Sequence, residues 1–490
     1  MRILLVEPRT PDTFWSYRHV LPFIGKRVAN PPLGLLTVAG MLPPSWELRV
    51  RDLNSRPLDA ADVRWAEAVM VSAMIVQKAS AADVVALCRA EGRPVIGGGP
   101  LFHGDRDPGI AVDHVVSGEA EELVPQLVRD LEAGRPQPRY AAARYPDIAL
   151  SPLPRWDLVD LDDYATVSVQ SCRGCPFDCE FCDVTALNGR KPRYKSPARF
   201  RAELEALRRR GWNGPTFLVD DNFVGDPRRA KELLRTVIAW RRETRSRMTF
   251  LTEASVDMAA DAELLSLMAA AGFKKVFLGL ETPSLDSLRE CRKLQNTRGD
   301  LAQAVRAIQA SGLEVLGGFI VGFDSDGTDI FERQYRFIQD AGVATAMVGM
   351  LQALPGSRLY RRLAGEGRLR GDGDGDNTGG AINFEPRLGR DVLVENYRSL
   401  VRRLYEPTVY YRRARTFLSH YRPRGPAEAL SWSRLLALPR TMWRLGIREQ
   451  GRRAFWRFLG GTLARYPARL DVAVSLAITG RHFRIIARSL

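Results

Sequence analysis

Long apolar runs are missing from this 490-residue chain. No stretch of about 18 uninterrupted apolar residues occurs, so no membrane-spanning helix is expected. The first residues, MRILLVEPRT, lack the extended apolar segment of a secretory signal and read as a β-strand. Cysteine is scarce, at six residues. That number excludes a disulfide scaffold in a chain of this size and fits a reducing, cytoplasmic setting, where clustered thiols serve metal or redox chemistry. Histidine is scarcer still, at five. Lysine is absent from the last ninety residues, where 19 arginines face four acidic residues. The whole net charge of +15 therefore lies in that tail, and the rest of the chain balances. The chain is too long for a single core, and two or three domains are expected.

Four of the six cysteines fall in one stretch, SCRGCPFDCEFCDV (171–184). Thiols this close can staple a loop, bind zinc or hold an iron–sulfur cluster. Zinc usually takes two spaced pairs of ligands. Here Cys175, Cys179 and Cys182 form one tight CxxxCxxC group with no second pair downstream. A four-iron cubane held by three thiolates keeps one iron open for a substrate or cofactor. Cys172, Cys88 and Cys291 stand outside the group. Cys88 lies on a helical pattern; Cys172 and Cys291 either fill small core sites or approach the site.

The surrounding pattern sets the architecture. Residues 1–132 alternate strand-like runs (2–7, 47–52, 68–73, 94–98 and 114–118) with helical patterns such as 32–42 and 79–92. This is the signature of a doubly wound, Rossmann-like parallel sheet, whose ligands sit at the carboxyl ends of the strands. Gly97-Gly98-Gly99-Pro100 and Gly118-Glu119 are turns of that kind, or plain turns. Residues 133–165, rich in Pro and Arg, read as a linker. Six further β/α units follow in 166–365, with strands at 166–170, 215–220, 248–253, 274–281, 313–322 and 344–351. They predict a partial (β/α)6 barrel whose site lies at the strands' carboxyl ends. The cysteine loop falls just after the first of these strands. Residues 366–490 are expected to form a loop and a mainly helical basic domain. GDGDGDNTGG (371–380) starts like a calcium loop through Asp372, Asp374 and Asp376, but its sixth position is Asn377 and its twelfth Asn383, which argues against calcium.

The CxxxCxxC spacing, with Phe181 before the third Cys, resembles the radical SAM family. VDDNF (219–223), LGLET (278–282) and GGFIVGF (317–323) occur in order, each at the end of the expected strand. The resemblance implies a 4Fe-4S cluster on Cys175, Cys179 and Cys182. It implies S-adenosylmethionine (SAM) contacts at Phe181, Asp220, Asp221, Asn222, Glu281, Ile320 and Gly322. It also implies a 5′-deoxyadenosyl radical that takes hydrogen from an unreactive carbon. A doubly wound domain ahead of such a barrel is similar to the cobalamin-binding subclass. Ser72, Gly98, Gly99, Pro100, Gly118 and Glu119 then line the cobalamin pocket. No DxHxxG motif is present, so a His ligand to cobalt is not expected. The other reading is a domain that is vestigial or binds something else. More narrowly, residues 13–43, SAMIVQ (72–77), GRKPRYKSP (189–197), LRECRKLQNTR (288–298) and LQALPGSRLY (351–360) resemble the group containing the bacterial hopanoid carbon-2 methylase.

These resemblances imply a C-methyltransferase using cluster, SAM and cobalamin on a hydrophobic, lipid or natural-product substrate, with flavodoxin or ferredoxin as electron donor. Two alternatives stay open: a radical rearrangement, cyclisation or oxidation without methyl transfer, and a non-catalytic, metal-binding scaffold. The tail interleaves Arg with Trp432, Trp443, Phe455, Trp456 and Phe458. It reads either as a helical subdomain packed on the barrel or as a peripheral contact with an anionic inner membrane face. No nucleic-acid partner is expected.

Overall fold

A computed structural model describes residues 1–104, 107–425 and 432–490, with the side chains of 432–436, Trp432 among them, outside the description. The first sheet contains β1 (Arg2–Glu7), β2 (Glu47–Asp52), β3 (Ala68–Ser72), β4 (Val95–Gly98), β5 (His114–Ser117) and β6 (Arg139–Ala141). All are parallel, in the order β2-β1-β3-β4-β5-β6. Along β1, Ile3 and Leu5 enter one apolar core while Leu4 and Val6 enter another. Both faces of the sheet are covered, which is why its strands read as continuous apolar runs rather than as alternations. The strand order reverses at β1/β3, the switch point at which open sheets of this kind bind ligands.

The segment read as a linker is built into the fold. Its residues 139–141 supply β6 on the edge of the first sheet, and short 3-10 turns follow at Ile148–Leu150, Trp156–Leu158 and Leu161–Asp163. A three-residue strand with Arg at its start is too short and too polar to announce itself in a Pro-rich sequence.

The second sheet runs β7 (Val167–Val169), β10 (Pro215–Leu218), β11 (Thr249–Ala254), β12 (Phe273–Glu281), β13 (Glu314–Val321) and β14 (Thr345–Met350), all parallel and in sequence order. Between β7 and β10 a short antiparallel pair, β8 (Cys172–Arg173) with β9 (Arg193–Tyr194), brackets the cysteine loop. This is the expected open barrel. Its outer strand, β14, is covered by the C-terminal helices. The Tyr405 hydroxyl donates to the Ala346 carbonyl (2.6 Å) and accepts from the Ala346 N–H (3.1 Å), pairing an edge that would otherwise be free. Arg413, fully buried, donates to the Ala344 carbonyl at 3.2 Å. The helices Arg390–Leu404, Pro407–His420, Arg452–Arg465 and Leu470–Ser489 contribute to the same apolar core as the barrel. The basic tail is therefore in large part a helical domain docked on β14.

The carboxyl edge of the first sheet meets later segments of the chain at several points. Asp52, ending β2, accepts from the Tyr164 hydroxyl at 3.2 Å. Ile75 and Val76, just beyond β3, pack on Gly375 of the aspartate-rich loop. Glu119, just beyond β5, pairs with Arg173 and Arg193 of the cysteine hairpin.

Candidate functional site

The cysteine loop is held from both sides by side chains of distant strands. Asp220, at the end of β10, accepts from the backbone N–H of Ser171 (2.7 Å) and Cys172 (3.0 Å) and from the Ser171 hydroxyl. Burial pushes its carboxyl up to about 6 against the pull of those hydrogen bonds. Asp221 accepts from Gly174 N–H (2.6 Å) and Asn188 Nδ2 (2.9 Å). The two aspartates thus anchor the loop, and their carboxylates are engaged there. Gly174 sits at φ +96°, and a Cβ would lie 2.9 Å from the Gly189 carbonyl, so only glycine passes this point. Asn222 places Nδ2 3.8 Å from the Cys175 sulfur and 3.3 Å from Ser255 Oγ. On the far side Gln295 places Nε2 3.8 Å from the Cys179 sulfur. The Glu180 N–H donates to the Cys291 carbonyl at 2.9 Å.

Among the described residues, Cys175, Cys179 and Cys182 are not within 4.8 Å of one another as a trio. A single tetrahedral zinc, with Zn–S near 2.3 Å, draws sulfurs to about 3.8 Å apart. The wider spacing and the amide donors aimed at sulfur suit a cluster in which each thiolate serves its own iron. Burial pushes all three thiols up, and the Lys293 ammonium pulls each of them back in part. Metal must therefore displace protons as it binds. Cys172 and Cys291 are fully buried, their thiols pushed up by burial; Cys291 Sγ points to the Leu288 carbonyl at 3.6 Å. Both pack as core residues, and so does Cys88.

Glu281 ends β12 at φ +61°, a left-handed conformation rare outside glycine, beside an irregularity in the β12–β13 register. Its carboxylate pairs with Lys293 at 2.8 Å. Burial disfavours the Lys293 ammonium, but Glu281 together with the Cys179 and Cys182 thiols outweighs it, and the pKa moves up. Lys293 also lies 5.8 Å over the Phe181 ring, which in turn sits 6.2 Å from Phe323. A Cβ on Gly279 would come 2.8 Å from Lys293 Nζ, so a larger residue there would displace the Glu281–Lys293 pair. The Ile320 carbonyl accepts from Gln334 Nε2 at 3.2 Å, and Gly322, at φ +106°, donates to Asp326 at 2.9 Å.

Lys293 and Glu253 are site residues that motif reading does not single out. Lys293 lies inside the quoted stretch LRECRKLQNTR, where nothing marks its contact with a residue over a hundred positions earlier. Glu253 ends β11, and burial together with Asp221 and Asp220 raises its carboxyl to about 7. Along β12, Val276, Leu278 and Leu280 are buried in the core, while Phe277 and Gly279 are half-buried on the site's side. The Trp15 ring, from the loop after β1, lies 4.9 Å from Phe277.

At the first sheet, Ser72 and Gly98 are register partners at the ends of β3 and β4. Gly99, at φ +83°, comes so close to Ser72 Oγ that a Cβ would lie 2.9 Å from it; Pro100 then opens a 3-10 turn. A Cβ on Gly118 (φ +121°) would meet nothing within 4 Å, and one on Gly98 nothing nearer than 3.8 Å. Small residues thus leave space above adjacent strand ends, a cradle suited to a large planar cofactor. Glu119 is turned elsewhere. Its carboxylate bridges Arg173 (2.7 Å) and Arg193 (2.9 Å), and Arg173 also pairs with Glu121 at 2.8 Å. The three aspartates of residues 371–380 do not converge: Asp372 accepts from Tyr360, Asp374 from Gln352, and Asp376 from the Thr378 N–H.

This pairing of a cofactor-cradling doubly wound domain with a cysteine-bearing open barrel defines a B12-binding radical SAM enzyme. Comparison with known proteins agrees. Residues 28–128 match the B12 binding domain, 169–349 the Radical SAM superfamily and 357–490 a domain of unknown function, DUF4070. The chain is 40% identical over 489 residues to an uncharacterized methyltransferase of Synechocystis sp., covering 99% of this chain and 91% of that one. It is 32% identical over 500 residues to the hopanoid C-2 methylase of Rhodopseudomonas palustris, covering 99% and 94%. The radical S-adenosylmethionine methyltransferase TsrM from Kitasatospora setae, with cobalamin and a 4Fe-4S cluster bound, shares the fold at a TM-score of 0.63 and 14% identity, covering 98% of this chain and 99% of that one. The chain belongs to the cobalamin-dependent radical SAM methyltransferase family, whose cofactors are a 4Fe-4S cluster, SAM and cobalamin.

Proposed function

We propose that the chain methylates an unactivated carbon of a hydrophobic, lipid-like substrate held between the two sheets. The observation that carries this reading is the pairing of Glu119 with Arg173. It sets the end of β5, beside the cradle of Ser72, Gly98, Gly99, Pro100 and Gly118, against the hairpin that leads two residues later to Cys175. When bound, the cofactors supply a carbon-centred radical and a transferable methyl group. The chain's own residues hold and shield. Cys175, Cys179 and Cys182 ligate the cluster, and Asn222 and Gln295 donate to two of their sulfurs. Phe181, Glu281, Ile320 and Gly322 frame the SAM side, and Lys293 fixes the Glu281 carboxylate. Asp220 and Asp221 act by positioning the loop. Trp15 and Phe277 give the cavity an apolar wall, which excludes water from a radical and favours an apolar substrate.

Two surfaces fit the partners. Asp178, next to Cys179, faces Arg190 (4.0 Å), Arg292 (3.8 Å) and Arg358 (3.1 Å), all exposed, so the loop's outer side is basic and suits an acidic electron carrier such as flavodoxin or ferredoxin. On the C-terminal domain, Met442, Trp443, Ile447, Trp456 and Leu463 are exposed among arginines, a composition suited to the inner face of an anionic membrane. No helix among the described residues is long and apolar enough to cross a membrane. Both surfaces belong to a cytoplasmic, peripherally attached enzyme. The test is incubation of anaerobically reconstituted protein with methyl-deuterated SAM, cobalamin, reductant and a polycyclic lipid fraction. Deuterated methyl in a lipid product is expected. 5′-Deoxyadenosine formed with an unlabelled, rearranged or oxidised product would replace methyl transfer with the other radical reaction.

A further inference from the structure

Away from the cofactor edges, Asp12, His19 and His482 each bring a donor atom to within 4.8 Å of the others, the single such trio of His, Cys or acidic groups among the described residues. Asp12 and His19 lie in the loop after β1, and His482 lies on the last helix, Leu470–Ser489. Contacts fix the tautomer of His482. Its Nε2 is 3.2 Å from the Phe14 carbonyl, which can only accept, so Nε2 carries the hydrogen and Nδ1 the lone pair. That Nδ1 is buried and has no hydrogen-bond partner, on a ring that is wholly buried. A buried acceptor left unpaired is costly, and each one in a native fold calls for a ligand or a reason. His19 and Asp12 pair at 2.7 Å through Nε2 and Oδ2.

We propose that Asp12, His19 and His482 form a binding site for one divalent transition-metal ion, with zinc the best match to two imidazoles, a carboxylate and a water. Two imidazole nitrogens on a tetrahedral zinc stand about 3.4 Å apart, so small side-chain movements close the site. The ion clips the loop after β1 to the last helix. Between its two ligands that loop carries Trp15, whose ring lies tilted against Phe277 at 4.9 Å, and Tyr17, which stacks on His482 at 5.5 Å in a left-handed conformation of φ +47°. The site is structural: it sets one wall of the substrate cavity and leaves the cluster thiols untouched.

The proposal rests on the trio's geometry and not on the cluster, and the test keeps the two apart. Anaerobically prepared holoenzyme is treated with EDTA, given a slight excess of zinc chloride, desalted, and analysed for zinc and iron by mass spectrometry, with Tm recorded before and after zinc. About one zinc per chain and a zinc-dependent rise in Tm are expected. His19→Ala and Asp12→Ala, both on the surface loop, should lose both effects while iron content and SAM cleavage with dithionite stay near those of the parent. His482→Gln, which keeps a donor for Phe14, should also lose the zinc. If the parent holds no more zinc than His19→Ala, the trio is a hydrogen-bonded cluster only and the proposal fails.

Discussion

Glu253 stands half-buried at the end of β11 with Asp220 and Asp221 as neighbours, and its carboxyl titrates near 7 instead of near 4.5. The fold therefore favours the protonated form. Stability from this residue is fully present below about pH 4.5 and is lost as the pH rises through about 7. Glu253→Gln removes that dependence. Relative to the parent, cofactor-free Glu253→Gln should gain on the order of 2 kcal/mol between pH 5 and pH 8 in urea unfolding; parallel pH profiles would show that the carboxylate finds a partner. Among the thiols, Cys175→Ala, Cys179→Ala or Cys182→Ala should abolish SAM cleavage, while Cys172→Ala should retain most of it and lose only packing stability. Retention of the cluster in Cys175→Ala with loss in Cys172→Ala would reassign the ligands. The grouping of the cysteines on one loop was legible because their spacing alone places them together. The carboxylates of the VDDNF stretch were legible in place but not in role, since nothing local shows that Ser171, Cys172 and Gly174 offer them backbone donors. Lys293 was invisible because its partner Glu281 and the thiols meet it only in the folded chain.

The hairpin β8–β9 and the turn after β5 join the two halves of the molecule. Glu119, with its side chain nearly buried, balances Arg173 and Arg193 there, and Glu121 gives Arg173 a second partner. Removing one member of a buried ionic group strands the others. Glu119→Ala should therefore cost about 3 kcal/mol in chemical denaturation, and it should depress methyl transfer more than dithionite-driven SAM cleavage, since it loosens one sheet edge against the other. Equal loss in both activities would show that the pairing supports the loop alone. At this scale the long strands were readable from their apolar runs, and the order β7 to β14 followed from the repeated β/α alternation. The segment 133–165 was misread because β6 borrows its place from pairing with β5, not from any propensity of its own.

Over the whole molecule, the asymmetry of charge resolves into two uses. Some arginines of the tail are internal: Arg413 is fully buried against backbone carbonyls, and Arg484 pairs with Glu449 at 3.2 Å. Others surround exposed Trp443 and Ile447. Sequence composition could not separate the two, because burial of an arginine is decided by which helix docks on β14. If the exposed patch meets membrane, the double change Trp443→Ser with Ile447→Ser should cut binding to vesicles rich in anionic lipid by about tenfold, consistent with losing roughly 1.4 kcal/mol of interfacial contact. Unchanged vesicle binding would leave the patch without that role.

Three thiolates are proposed to leave one iron open beside the cobalamin cradle. Mössbauer spectra of anaerobically reconstituted, iron-57-labelled protein test it most directly. One iron in four should change its signal when SAM is added, and the change should vanish in Cys179→Ala. Four irons that stay alike with and without SAM, or a centre lacking iron, would contradict the account.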